Sequence, residues 1–408
     1  MSTCDLIVIG AGPGGYRAAE YAARQGLKVA IFEEGQVGGT CLNVGCIPTK
    51  TYVHAATFAE ARQRMAEVVG QLRSGVETIL THPAITLVRE RAAFTDVRTV
   101  SGYTAPHIII ATGSQTKLIP VGGLDDPRVV DSTGLLALDT LPKRLCIVGA
   151  GVIGMEFASI FHRFGSEVTV VESLKECLPA LDSDIAKRLR KLLEKQGITF
   201  RMKTALQNLG DLDADVILMA TGRKPNTAGL NPEAAGIALA PGGAIPVDDH
   251  FETAVKGIYA IGDVNGRQML AHAAEMQGVH AVRRMLGRTD GIRFDIMPAA
   301  IFTRPEAACV GPAEDQLKAA GTPYVCKKAF WRANGKALAM GETEGMLKLF
   351  AATGDRRILG CHAYGAHASD MVQEVSALMC RHTTLQELAD IVHIHPTLSE
   401  ILKNAAGD

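Results

Sequence analysis

Cys41 and Cys46 stand five residues apart in GGTCLNVGCIPTK, residues 38–50, after a glycine pair and before a proline. Two neighbouring thiols can carry two electrons by closing into a disulfide, so the spacing matters. In a regular helix it puts the two Cα atoms roughly 8.7 Å apart, beyond the ~7 Å that a disulfide can bridge. Either the thiols are unpaired or the backbone is distorted to bring them together. A second chemical stretch lies near the end of the chain, His393-Ile-His395-Pro396-Thr397-Leu-Ser-Glu400. A histidine titrates near neutrality and can serve as a base. Thr397 and Glu400 also have capping-box spacing, in which the acid would merely satisfy a backbone group at a helix N-terminus.

These groups need a scaffold, and composition limits which one. The chain has 408 residues, 47% apolar and 21% charged, with 42 Lys+Arg against 43 Asp+Glu. It is globular and long enough for two to four domains. The charge balance gives no reason to expect nucleic acid or an acidic membrane surface as a partner. The N-terminus lacks the basic region of a signal peptide, and no run of about 18 apolar residues occurs. A cytoplasmic protein is expected. Nine cysteines, scattered and without C-x-x-C spacing, form neither a secreted disulfide framework nor a zinc site, so no metal is expected.

The segment DLIVIG reads as a buried strand leading into Gly10-Ala-Gly12-Pro13-Gly14-Gly15, a helix to Gln25, and a second strand, KVAIFE, ending at Glu33. This is a dinucleotide fingerprint: the glycines allow a tight turn, the pyrophosphate sits on the helix N-terminus, and the acid can bond a ribose hydroxyl. The pattern recurs about 140 residues later as RLCIVG, Gly149-Ala-Gly151-Val152-Ile153-Gly154, a helix through Phe164, and EVTVVE ending at Glu172. Two dinucleotide sites follow, most economically a flavin and a nicotinamide. Glu172 would bond the 2′-hydroxyl of NAD and repel the 2′-phosphate of NADP, and the following SLKECLP offers no arginine to bind that phosphate.

Each segment is closed by a strand and glycine turn, HIIIATG with Thr112 and Gly113, and VILMATGRKPN with Gly222. GIYAIGDVNG places Asp263 after another strand, and Leu270-Ala271 open a long helix to about Gly287, whose N-terminal dipole would favour negative charge on a reduced flavin. From Pro298 onward the pattern is α+β, with strands in PAAIFTRPEAACVG and MLKLFAA.

Taken together and in this order, these phrases resemble the FAD-dependent pyridine nucleotide-disulfide oxidoreductases, and within them the dihydrolipoamide dehydrogenases. The resemblance covers nearly the whole chain. It implies an α/β fold with two Rossmann-like domains, the NAD domain inserted into the FAD domain, and a C-terminal α+β dimerisation domain. The expected boundaries are 1–140 and 253–295 for FAD, 141–252 for NAD, and 296–408 for the interface. By resemblance, Cys41 and Cys46 form a redox disulfide in a helix distorted at Gly45, with Cys41 as the interchange thiol and Cys46 as the charge-transfer thiol. His395 is the base, oriented by Glu400, and Lys50 pairs with Glu156 beside the flavin. FAD would be held by Gly10, Gly12, Pro13, Gly14, Gly15, Glu33, Gly39, Thr40, Lys50, Ala92, Thr112, Gly113, Asp263, Leu270 and Ala271. NAD would be held by Gly149, Gly151, Val152, Ile153, Gly154, Glu172 and Gly222. The base lies about 350 residues from the thiols, in the dimerisation domain. The resemblance therefore implies a homodimer with shared active sites, acting on free dihydrolipoamide or a lipoyl-bearing carrier protein.

Related chemistries are less well matched. The last cysteine is Cys380, so the C-terminal thiols of mercuric reductase and of large thioredoxin reductases have no counterpart. Glutathione-type reductases carry arginines where Glu172 stands. A copper- or hypochlorite-response reductase stays open, as does a flavoprotein subunit without turnover of its own, although the intact Cys41, Cys46, His395 and Glu400 speak against the latter. The chain is shorter than the family's pattern, with the shortfall between Thr57 and Phe94 and between Arg201 and Asp215. His393 is expected to be a structural neighbour, Trp331 a packing residue, and Cys4, Cys146, Cys177, Cys309, Cys326, Cys361 and Cys380 small apolar residues.

Overall fold

The computed structural model describes residues 2–407. They form two compact units, the first made of the chain up to Ile119 with Ser132–Ala137 and Gly222–Ile292. The second is made of Pro120–Asp131, Leu138–Thr221 and the chain from Arg293 onward. Residues 222–252, expected with the second nucleotide segment, lie in the first unit. Their strand Arg223–Pro225 pairs antiparallel with Ser114–Thr116, which ties the two ATG phrases together.

The first unit is built on a parallel sheet in the order Ile258–Ala260, His107–Ile110, Leu6–Ile9, Val29–Phe32, Ile85–Val88. LIVI and VAIF are buried at every position, as strands covered on both faces must be. The strand order reverses beside Leu6–Ile9, which opens a ligand crevice at the carboxyl ends of the strands. The first expected helix runs Pro13–Arg24, and it packs on the long helix Ala271–Met285. Most of the shortened stretch after Thr57 is one helix, Phe58–Leu80. Thr57 Oγ1 accepts from the Glu60 N–H at 3.2 Å, and Glu60 Oε2 reaches back to the Ala56 N–H at 2.9 Å, so this helix has a closed N-terminus.

The second unit holds another parallel sheet, in the order Thr199–Arg201, Glu167–Val171, Arg144–Val148, Val216–Met219, Val129–Val130. Its remaining sheet is antiparallel: Ala299–Ile301, Ala307–Val310, Ile358–Tyr364, Met346–Ala352, Tyr324–Phe330. Trp331 is fully buried in the apolar cluster behind that sheet, and its Nε1–H donates to Ala366 O at 3.0 Å, a packing role as expected. Cys146, Cys177, Cys309 and Cys361 are buried, and burial pushes the Cys146 and Cys309 thiols up to about 11. The apolar reading fails for Cys380, which is exposed because it caps the end of helix Ala368–Met379, beyond the buried stripe; Cys4 and Cys326 are only partly covered. Among the described residues no helix is long and apolar enough to cross a membrane, and no cluster of side chains could hold a metal ion.

Within this unit a buried charge joins the nucleotide-type fold to the antiparallel sheet. Lys348 Nζ lies 2.8 Å from both Asp182 oxygens and 2.5 Å from Glu314 Oε2. Asp182 Oδ1 also caps helix Ser183–Gln196, accepting from Asp184 N at 3.1 Å and Ile185 N at 3.3 Å. The Asp182 N–H donates to His362 Nδ1 at 2.9 Å, and His362 Nε2 faces Gly311 O at 3.2 Å, so the imidazole is neutral with its proton on Nε2. Burial holds its basicity down.

Lys348→Met leaves the Asp182 carboxylate buried without its cation and is expected to cost about 3–5 kcal/mol in urea unfolding. The hydrogen bond from Lys348 lowers the Glu314 carboxyl from 4.5 to about 2. A group depressed on folding stabilises the protein above its unfolded value, so this contribution is full above 4.5 and lost as the pH falls towards about 2. Unfolding midpoints measured across that range should fall more steeply in the wild type than in Glu314→Gln.

Candidate active site

Both glycine turns are built alike. Gly10 and Gly149 have φ of +100° and +108°, and a Cβ at either would collide with the backbone oxygen of Ala111 or Ala220. Neither nucleotide helix has a side-chain cap: Gly12 precedes Pro13–Arg24 and Gly151 precedes Val152–Phe164 in extended conformation, which leaves the first-turn N–H groups facing outward. Such a terminus suits an anionic pyrophosphate. Gly39 lies against the first turn so closely that a Cβ on it would sit 2.7 Å from Gly12 Cα, a cradle only backbone can line.

The acids that end the second strands also stiffen these turns. Glu33 accepts from the Ala11 N–H at 2.9 Å and the Gly35 N–H at 2.8 Å. Glu172 accepts from the Ala150 N–H at 2.7 Å, the Leu174 N–H at 2.8 Å and Ser173 Oγ at 3.1 Å. A carboxylate has about four acceptor positions, so each retains capacity for a ribose hydroxyl. The sequence around Glu172 contains no arginine, but folding brings Arg201 opposite Val171 on the neighbouring strand, and the Lys203 N–H donates to Leu174 O at 3.0 Å. Those cations are far in sequence and invisible to a local reading.

The other expected FAD contacts lie in the first unit. Thr112 Oγ1 donates to Asn226 O at 2.6 Å, and Gly113 has φ +71°. Asp263 sits in the turn Gly262–Asn265, where Ser114 Oγ donates to its carboxylate and Arg223 Nε is 4.0 Å away. Thr40 lies in helix Gly39–Val44, Ala92 is buried, and Leu270 caps Ala271–Met285 without a side-chain bond. Lys50 lies on helix Cys46–His54.

The opening puzzle of the cysteines is resolved by the backbone. The helix is broken into Gly39–Val44 and Cys46–His54 at Gly45, with φ −137° and ψ −112°. A Cβ there would stand 2.8 Å from Thr40 O and 3.2 Å from Cys41 Cα, so the break admits only glycine without displacement. The two sulfurs are not joined in a disulfide here. Their side chains share a hydrogen bond that, with burial, raises the Cys41 thiol, while the Cys46 N–H directed at Cys41 and the charge of Lys50 oppose the rise. Cys41 therefore rests protonated, beside a helix N-terminus and a lysine that stand ready to stabilise a thiolate. Tyr16, unremarked in the sequence, is half-buried nearby: burial raises its hydroxyl first, Glu275 next, and Cys41 adds to the rise.

The histidine motif belongs to the second unit. His395 Nδ1 lies 3.0 Å from Glu400 Oε1, while Glu400 Oε2 accepts from the Thr397 N–H at 3.0 Å. Glu400 therefore contacts a backbone group and the imidazole at once, one with each oxygen. The Thr397 N–H and then His395 lower its carboxyl. The His395 side chain is exposed at 79%. His393 is held between Glu374 at 2.9 Å and Ile391 O at 3.0 Å, a structural neighbour. Glu156 is buried, and its Oε1 accepts from the Phe302 N–H at 2.9 Å.

Two glycine turns, a neighbouring pair of cysteines and a carboxylate-held histidine, each described within its own unit, are the kinds of group that a flavoprotein disulfide reductase uses. The chain belongs to the pyridine nucleotide-disulphide oxidoreductases: residues 4–278 match that family and residues 297–406 match its dimerisation domain. Members use FAD and NAD(P), and the anion-ready turns described above fit both. Among its relatives are the mitochondrial dihydrolipoyl dehydrogenase of Pisum sativum, 37% identical over 98% of this chain and 90% of that protein, and the leghemoglobin reductase of Glycine max, 37% identical over 98% and 87%. The HOCl-induced flavoprotein disulfide reductase RclA of Escherichia coli superposes with a TM-score of 0.93, at 33% identity over 98% of this chain and 99% of that one.

Gly45→Ala is expected to destabilise the protein by about 1–3 kcal/mol through overpacking against backbone. Urea unfolding, together with the alkylation rates of Cys41 and Cys46, will show whether the damage is confined to the redox segment.

Proposed function

We propose that the protein is a dihydrolipoamide dehydrogenase-like enzyme that oxidises dihydrolipoyl groups through a Cys41–Cys46 disulfide and reduces NAD. The observation that carries this reading is the hydrogen-bonded pair of thiols at the Gly45 break, in a chain that also holds His395 against Glu400. His395, held at Nδ1 by Glu400, takes a substrate thiol proton at Nε2. The substrate thiolate attacks Cys41, the Cys41–Cys46 bond breaks, and the second substrate thiol displaces Cys41 to release the cyclic disulfide. Two protons and two electrons have then left the substrate, and both cysteines are reduced. FAD, when bound, supplies the route by which that electron pair reaches NAD as hydride. Cys46 is the thiol that faces this route, Lys50 and Glu156 tune it as an ion pair, and Glu172 weights the choice towards NAD.

The same reading assigns 1–140 and 253–295 to the FAD domain, 141–252 to the NAD domain and 296–408 to a dimer interface. It makes the active unit a cytoplasmic homodimer in which His395 of one subunit serves the thiols of the other. A reductase with a different substrate is the second reading, favoured by the likeness to RclA over nearly the whole of both chains.

Purified holoenzyme should turn over dihydrolipoamide with NAD, and more slowly with NADP. Cys46→Ser should abolish that turnover, and His395→Gln should lower it by about 10²–10⁴-fold. Copper(II) and oxidised glutathione, each assayed with NADH and NADPH, form the competing arms. Negligible dihydrolipoamide turnover beside rapid turnover in either arm would replace the first reading with the second.

A further inference from the structure

The helix Phe58–Leu80 buries Ala61, Val69, Val76 and Leu80. Positions 69, 76 and 80 fall on one stripe, and the stripe also contains position 73. That position is arginine. A charged residue at a core-facing position of a helix is kept only where a partner answers it, and here the partner is a residue of the redox motif. Arg73 Nε donates to Asn43 Oδ1 at 2.9 Å, and both side chains are partly buried.

Asn43 passes the constraint on. Its Nδ2 donates to Gly39 O at 2.9 Å and Val37 O at 3.0 Å, with Gln36 O at 3.4 Å. Gln36 and Val37 lie in the loop that enters the short helix Gly39–Val44 and Gly39 is the first residue of that helix, which carries Cys41 two residues before Asn43. From the other side, the Gly38 N–H donates to Ala11 O at 2.8 Å, fixing the same loop to the first glycine turn. The helix is only six residues long and ends at the Gly45 break, so its own hydrogen bonds cannot hold it rigid. The Cys41 side of the thiol pair therefore depends on two anchors, the glycine turn and Arg73.

We propose that Arg73, acting through Asn43, is a positioning residue that sets how readily Cys41 and Cys46 close into a disulfide, and hence the redox poise of the pair. The inference rests on the redox reading of the two cysteines and names a residue outside their motif. Closing the bond removes two electrons and two protons from the thiols, and in a dithiothreitol buffer both pass to the oxidised reagent, which is reduced to the dithiol. The protein's share of that equilibrium is the effective concentration of one sulfur at the other, which a looser Cys41 segment lowers. The charge of Lys50 acts on the Cys41 thiol directly, whereas Arg73 meets the motif at Asn43.

The test equilibrates holoenzyme in reduced and oxidised dithiothreitol at fixed ratios, quenches with acid, alkylates, and counts free thiols on the Cys41–Cys46 peptide by mass. Arg73→Met should shift the equilibrium about tenfold towards the dithiol, about 30 mV more oxidising. Arg73→Lys, which restores one donor, should recover most of the shift. Arg64→Met, which removes an exposed cation of the same helix that pairs with Glu60, should change nothing. A shift confined to Arg73→Met, with urea midpoints measured alongside, supports the inference. An equilibrium constant for Arg73→Met within twofold of wild type would overturn it, as would an equal shift in Arg64→Met. A wild-type protein that forms no Cys41–Cys46 disulfide at any ratio would instead overturn the redox reading, and the role of Arg73 with it.

Discussion

The approach of Cys41 Cα and Thr40 O to Gly45 is the constraint on which the chemistry of this chain depends. A continuous helix would carry the two sulfurs past each other; the break turns the second helix so that its first N–H and its first side chain both address Cys41. Everything adjacent serves to keep that break in register. The glycine turn holds the loop before it, Asn43 staples the loop to the short helix, and Phe58–Leu80 supports Asn43 from behind. A stretch that is short against its family therefore still makes a local contact with the cysteine segment.

The fold was largely legible because it is written in repeats. Two strand-turn-helix-strand-acid phrases specify two parallel sheets, and the strands of the first phrase, Leu6–Ile9 and Val29–Phe32, are buried at every position, as continuous apolar runs require. The strands and helices fall within a residue or two of the expected bounds because glycines and cap positions punctuate them. The compact units divide less simply: Arg223–Pro225 pairs with Ser114–Thr116, so residues after Gly222 join the first unit although they follow the second nucleotide strand in sequence. No local pattern signals a pairing across more than a hundred residues.

The site was legible where chemistry has a motif and hidden where it depends on contact. Cys41, Cys46, His395 and Glu400 announce themselves by residue type and spacing. Glu400 also shows why two interpretations of one motif need not compete, since a carboxylate has two oxygens and here each has its own task. The Lys348 cluster and Arg73 have no motif. Lys348 looks like an ordinary lysine in a strand, and Asp182, 166 residues earlier in sequence, together with Glu314 gives it meaning. Arg73 left one trace, a charge where the helical stripe calls for an apolar side chain. Cys380 was misread for the opposite reason: a cysteine's type favours the interior, but the end of a helix decided otherwise.

Asp182 caps a helix of the nucleotide-type fold and at the same time answers a lysine from the antiparallel sheet. The two parts therefore cannot be inherited or exchanged as independent modules. A foreign C-terminal part spliced onto this nucleotide-type fold would have to bring a lysine at the position of Lys348 and an acid at that of Glu314, or leave an ion stranded in the interior. Exchange of the C-terminal part of this chain is thus constrained by charge matching inside the protein as well as by the fit of its apolar surfaces.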